Sequence, residues 1–165
     1  MSIYPFFIPV VVQKLRALSG LLDKAAAHCE ARNIDPSVMI SMRLAPDMFP
    51  LTKQIQIATD MVKNGAARLS GIELPKFEDD ETSISELQDR INQIADLLTA
   101  LPESAFDGAD SKAIHLTLPR GRELDFNGLD YLNKWILPNF YFHMTTTYNL
   151  LRHNGVELGK SDFLA

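Results

Sequence analysis

The sequence predicts a mainly α-helical protein, a four-helix bundle of one domain over residues 1–165 with a small β-hairpin inserted before the last helix. Three observations carry this. Apolar residues recur at steps of three and four in four separate stretches, the spacing of a helix that buries one stripe. One short segment breaks that rhythm and alternates, as a half-exposed strand does. And 165 residues with 46% hydrophobic content suffice for one core, with no internal repeat and no low-complexity segment.

The first helix is predicted from Tyr4 to Ala31, on Tyr4, Ile8, Val11, Leu15, Leu18, Leu22 and Ala25. Pro5 suits a first turn, while Pro9 removes a further backbone donor and bends the start. Asn33-Ile34-Asp35-Pro36 ends this helix. The second helix follows Ala45-Pro46-Asp47, with Asp47 as N-cap and Pro50 in the first turn. Its stripe is Leu51, Ile55, Ala58, Val62, Ala66 and Leu69, and Gly71 stops it. An acidic linker, LPKFEDDETS, leads to Ser83-x-x-Glu86, a capping-box pattern that opens the third helix. There Ile84, Leu87, Ile91, Ile94, Leu98 and Leu101 keep the three-four rhythm.

From Ala113 to Asn127 the pattern alternates. Ile114, Leu116 and Leu118 interleave with His115 and Thr117, Pro119-Arg120-Gly121-Arg122 turns the chain, and Leu124 and Phe126 resume. A lone two-stranded hairpin is marginal, so it must pack on the helices. The fourth helix runs from Gly128 to His153 and is apolar on nearly every side, which predicts a central helix or one shared with a second subunit. Pro138 is expected to kink it, and Asn154-Gly155 to end it.

The net charge is -5 and the pI about 5.3, with no basic block. Such a chain is a poor grip for a nucleic-acid backbone and lacks the polybasic patch that seeks anionic membranes. Cys29 is the only cysteine, so no internal disulfide forms, which points to a reducing compartment. The apolar N-terminal run carries two prolines and no positive leader, and reads as the start of the first helix. No stretch reaches the ~18 uninterrupted apolar residues of a membrane span. The expectation is a cytoplasmic protein with neither nucleic-acid nor membrane partners.

Following the rhythm through the fourth helix gives Leu129, Leu132 and Ile136, then Asn139, His143 and Thr146, then Leu150. Three polar residues thus occupy a buried seam. A buried polar group left unpaired costs about 1–3 kcal/mol, so partners must come from other helices. Asp47, Gln54 and Asp60 of the second helix are the candidates. The arrangement is either a structural hydrogen-bond network or a ligand site. A metal needs three good ligands; His143, Asn139 and Asp47 make a weak, oxygen-rich set. The threonines 145–147 have a plainer reading, in which each bonds back to a carbonyl one turn earlier.

Three stretches, LAPDMFPLTKQIQIATD (44–60), RLSGIELPKFEDDE (68–81) and DYLNKWILPNFYFHMTTTYNLLRHNGVELGKSDF (130–163), resemble the DinB/YfiT-like four-helix superfamily, in one of its uncharacterised domain-of-unknown-function branches. The resemblance implies an up-down-down-up bundle, often dimeric. It also implies a divalent metal held by a histidine early in the second helix and an H-x-x-x-H pair in the fourth. Counting back from Leu150-Leu151-Arg152 puts the second histidine of that pair on His143; Asn139 stands at the first, and no histidine lies near Asp47. Two of the three expected ligands are absent, so no resident cofactor is predicted, although a divalent metal stays an open question.

Other motifs carry less. Gly155-Val-Glu-Leu-Gly159-Lys160-Ser161 has three residues between its glycines where a P-loop has four, and it follows a helix, not a strand. Asp79, Asp80 and Glu81 read as a solvated loop, Arg120 and Arg122 as a solvated turn, and His28 as a helix-end cation. The reading is a homodimeric bundle that binds a small molecule in a polar pocket between the second and fourth helices, lined by Asp47, Gln54, Asn139, His143 and Thr146. Whether it is an enzyme stays open. The alternatives are a divergent metal-dependent transferase or isomerase and a non-catalytic dimeric interaction module.

Overall fold

A computed structural model describes residues 2–165. Its long helices are α1 (Tyr4–Arg32), α3 (Leu51–Ser70), α4 (Ile84–Thr99) and α6 (Leu137–His153). Short α2 (Pro36–Ser41), α5 (Gly128–Tyr131) and α7 (Lys160–Leu164) complete the helices, and β1 (Ala113–Thr117) pairs with β2 (Glu123–Asn127). The main pairings are α3 on α6 and α1 on α4; α3 also packs on α4 and so joins the two pairs. The predicted bundle with its hairpin is therefore the observed one. Its core is built from the predicted stripes, with Leu15, Leu18, Leu22, Ile55, Val62, Leu87, Ile94 and Leu150 all fully buried. Each such side chain contributes about 1.5–3 kcal/mol through burial. By length and composition α1 could cross a membrane, yet its apolar face lies in this core.

Two helix starts follow from their caps. At α4 the capping box forms, with Glu86 N–H donating to Ser83 Oγ at 3.2 Å and Ser83 N–H to Glu86 Oε2 at 3.0 Å. At α3 the expected start at Asp47 is corrected. The helix begins at Leu51 with Pro50 as its extended N-cap residue (φ -68°, ψ 166°). Proline disfavours helical geometry at the residue before it, and here Phe49 and Pro50 lie outside any helix. Asp35, not singled out as a cap, accepts from Ser37 N–H at 2.9 Å and starts α2.

The hairpin pairs Ala113 with Asn127 through to Thr117 with Glu123. Ile114 opposite Phe126 and Leu116 opposite Leu124 form the inner face, and His115 opposite Asp125 the exposed one. The turn needs left-handed backbone at Arg120 (φ 67°) and Gly121 (φ 75°).

The expected kink at Pro138 takes a specific form. Proline offers no N–H to the carbonyl four residues back. The chain widens into a π-turn over Leu132–Ile136, in which Leu137 N–H donates to the Leu132 carbonyl. Asn139 Nδ2–H donates to the Trp135 carbonyl at 2.7 Å. The turn also brings Ile136 against Gly65 of α3, so closely that a Cβ on Gly65 would lie 2.5 Å from Ile136 Cδ1. One extra residue in the turn shifts the helical phase. Leu129 is consequently 37% exposed, and the buried face centres on Phe140, Met144, Thr147 and Leu151. The predicted seam of Asn139, His143 and Thr146 runs one residue away, along the edge of that face.

Candidate functional site

The edge position explains the chemistry of His143. Its ring is buried between α6 and α3, with the residue only 9% exposed. Gln54, fully buried on the first turn of α3, donates from Nε2–H to the Phe49 carbonyl at 3.0 Å. That bond turns Gln54 Oε1 toward His143 Nδ1, at 2.7 Å. Nδ1 therefore carries the ring proton, and Nε2 holds a lone pair. Nε2 has no hydrogen-bond partner among the described residues, and no described side-chain nitrogen or oxygen is both sealed and unpaired, so Nε2 reaches solvent. Burial lowers the His143 pKa below the ordinary histidine value and favours the neutral ring. One exposed ring flanks the couple: Phe142, packed edge-on to the imidazole at 5.2 Å.

The other predicted residues are arranged less tightly. Asn139 is half-buried one turn before His143, and its amide N–H is committed to Trp135. Thr146 Oγ1–H donates to the Phe142 carbonyl at 2.7 Å and Thr147 Oγ1–H to the His143 carbonyl at 2.9 Å, the plainer reading of these threonines. Asp47 is exposed in the turn before α3 and makes no hydrogen bond to the couple. Asp60 turns away, toward α4.

That second direction leads to a cluster outside the predicted pocket. Arg90 of α4 is buried, its side chain only 1% exposed. Its Nη2 meets Asp60 at 2.9 Å, its Nη1 meets Glu81 at 2.8 Å and Asp79 at 3.1 Å, and its Nε–H donates to Thr59 Oγ1 at 3.0 Å. Gln56 Nε2–H donates to Glu81, and Lys63 pairs with Asp60. Phe77 lies under both Arg90 and Lys63. Reading Asp79 and Glu81 as a solvated loop is thus corrected: a buried guanidinium requires paired carboxylates, and the acidic linker supplies them. The signal was present, because Leu87, Arg90 and Ile94 are spaced by three and four.

The donors near His143 do not fit the metal that the superfamily resemblance implies. His143 Nε2 is one free nitrogen, Gln54 Oε1 is occupied by Nδ1, and only the amide oxygen of Asn139 is uncommitted. Among the described residues no group of three or more His, Cys, Asp or Glu converges. Three strong ligands are the usual minimum, so no step is derived through a metal.

Residues 3–164 match the family described as a domain of unknown function, DUF1993. The crystal structure of a DinB family member protein from Shewanella denitrificans superposes with a TM-score of 0.91 and 38% sequence identity. The match covers 99% of this chain and 92% of that one. No curated protein matches. With its bundle, its hairpin and nearly its whole length accounted for, the chain belongs to the DUF1993 family, a DinB-like branch.

Proposed function

We propose that this is a cytoplasmic small-molecule-binding protein whose site is the His143–Gln54 couple between α3 and α6. One observation carries the reading: a neutral imidazole fixed in one tautomer, its Nε2 lone pair free of protein partners. Such a nitrogen accepts a hydrogen bond from a hydroxyl, amide or ammonium group. The Phe142 ring beside it offers apolar contact to the rest of the ligand. The same nitrogen could take a proton as a general base, which is where an enzymatic role would begin.

A thermal-shift screen of metabolite classes, run on the native protein and on His143→Ala, tests this. A donor-bearing class should raise the native melting temperature and leave the variant unmoved. Ligand at a hundredfold excess over Kd stabilises by about 2.7 kcal/mol. Shifts equal in both proteins, or none in either, would remove the proposal. Metal content by mass spectrometry on untagged, chelator-free protein tests the metal-dependent transferase or isomerase reading. About one metal per chain, lost in His143→Ala, would support that reading despite the incomplete ligand set.

A second reading, a homodimeric interaction module, draws on exposed aromatic rings. Phe142 is 58% and Phe49 54% exposed, and Phe6 of α1 is 61% exposed. Light scattering on native protein and on Phe142→Glu decides it: a dimer that the variant converts to monomer supports the module, and a native monomer removes it.

A further inference from the structure

A separate cavity of about 350 Å3 opens between α3, β1 and the π-turn, and neither His143 nor Gln54 lines it. Its volume lies in the range of small-ligand sites. One wall is the α3 stripe of Ile57, Met61, Asn64 and Arg68, and opposite stand Leu116 and Trp135. Trp135 is held there by the π-turn and by Phe126 of β2, whose ring centroid is 6.2 Å away.

The charges in this cavity are unevenly satisfied. At one end Lys53 pairs with Asp79, Asp60 with Arg90 and Lys63, and Glu81 with Arg90, so three cations and three carboxylates balance there. At the other, Arg68 is an exposed residue at the cavity's rim with no carboxylate partner among the described residues. Its Nη1–H groups donate only to Tyr131 Oη at 3.3 Å and the Asn64 carbonyl at 3.5 Å, both neutral and both long. The indole N–H of half-buried Trp135 and the side-chain amide of exposed Asn64 are also without protein partners among the described residues. Arg68 and Trp135 line the same cavity as Ile57, Met61 and Leu116, a cation with aromatic and apolar side chains that together suit a planar anion with an apolar body.

We infer that this cavity binds a small carboxylic acid with a flat or apolar body. Arg68 takes the carboxylate, and the body lies between Trp135 and the Ile57–Met61 wall. The site is independent of the His143 couple, and its occupancy has its own reporter, since Trp135 is the only tryptophan in the chain.

The experiment follows Trp135 fluorescence while phenylacetate, benzoate and hexanoate are added at constant ionic strength, with phenylacetamide as the neutral control. At least one acid should give a saturable change. For phenylacetate, binding should be about tenfold or more tighter than for its amide, and weaker by a similar factor in Arg68→Gln. Asn64→Phe, which fills the cavity and keeps the cation, should abolish the response. No saturable change with any acid, equal affinity for acid and amide, or undiminished binding in Arg68→Gln would overturn the proposal. If Arg68→Gln fails to show a cooperative melt, Asn64→Phe decides alone, and unchanged affinity there overturns it. Either result leaves the His143 reading where it stands, because the signal arises at Trp135.

Discussion

His143 and His115 are displaced in opposite directions. Burial lowers the pKa of His143, while the hydrogen bond to the Asp125 carboxylate raises that of exposed His115. Ring-proton NMR should find His143 titrating below, and His115 above, the ordinary histidine value. The signs carry into stability. For His143 the unfolded chain takes up its proton first as pH falls, so this contribution is present above the unfolded pKa and lost on acidification through the lower folded one. For His115 the contribution is present below the unfolded pKa and lost as pH rises through the folded one. Gln54→Glu places a carboxylate against Nδ1 and should move the His143 midpoint upward in the same NMR titration. Arg90→Met leaves Glu81 buried without its cation and should cost about 3 kcal/mol in urea unfolding. Gln54 and His143 could be named from sequence because a polar residue in an apolar rhythm must find a partner. Arg90 is harder to name, because two of its three carboxylate partners, Asp79 and Glu81, lie in a linker with no periodicity to place them.

Among the elements, the π-turn has the widest effect. It seats Ile136 against Gly65, where the fully buried isoleucine has no room to withdraw. Gly65→Ala gains up to about 1 kcal/mol of helix propensity but overpacks this contact, at about 1–3 kcal/mol. A net loss of about 1 kcal/mol should appear in denaturant unfolding, and a smaller one on an Ile136→Val background. At Gly128 the obstacle is the Ala109 carbonyl oxygen, 1.7 Å from where a Cβ would be, and a backbone atom has no rotamer to give way. The same π-turn limits what sequence can reveal. Counting by threes and fours through Pro138 carries the phase one residue out, which put Asn139 in the seam and left Phe140 unclaimed. The long helices, the capping box at Ser83 and the hairpin were readable because their signals are local. Asp47 has good capping chemistry, yet α3 starts only at Leu51, after the extended backbone of Pro50.

For the whole molecule, four stripes of one period could only bury themselves against one another, so the bundle was readable as a class. Which helix lies beside which is decided by long-range pairings such as Gln54 with His143 and Arg90 with Asp60, and no local pattern encodes them. The Arg90 cluster has a consequence at this scale as well. The linker between α3 and α4 is irregular and acidic, and it carries an exposed lysine, Lys76, next to Phe77. A protease requires several extended residues in its cleft, and Glu78, Asp79 and Glu81 are tied to Arg90 just beyond that bond. Trypsin should therefore cut after Lys76 slowly in the native protein and much faster in Arg90→Met, with mass spectrometry identifying the fragments. A connection that by composition would be a weak point against degradation is, through one arginine, made a guarded one.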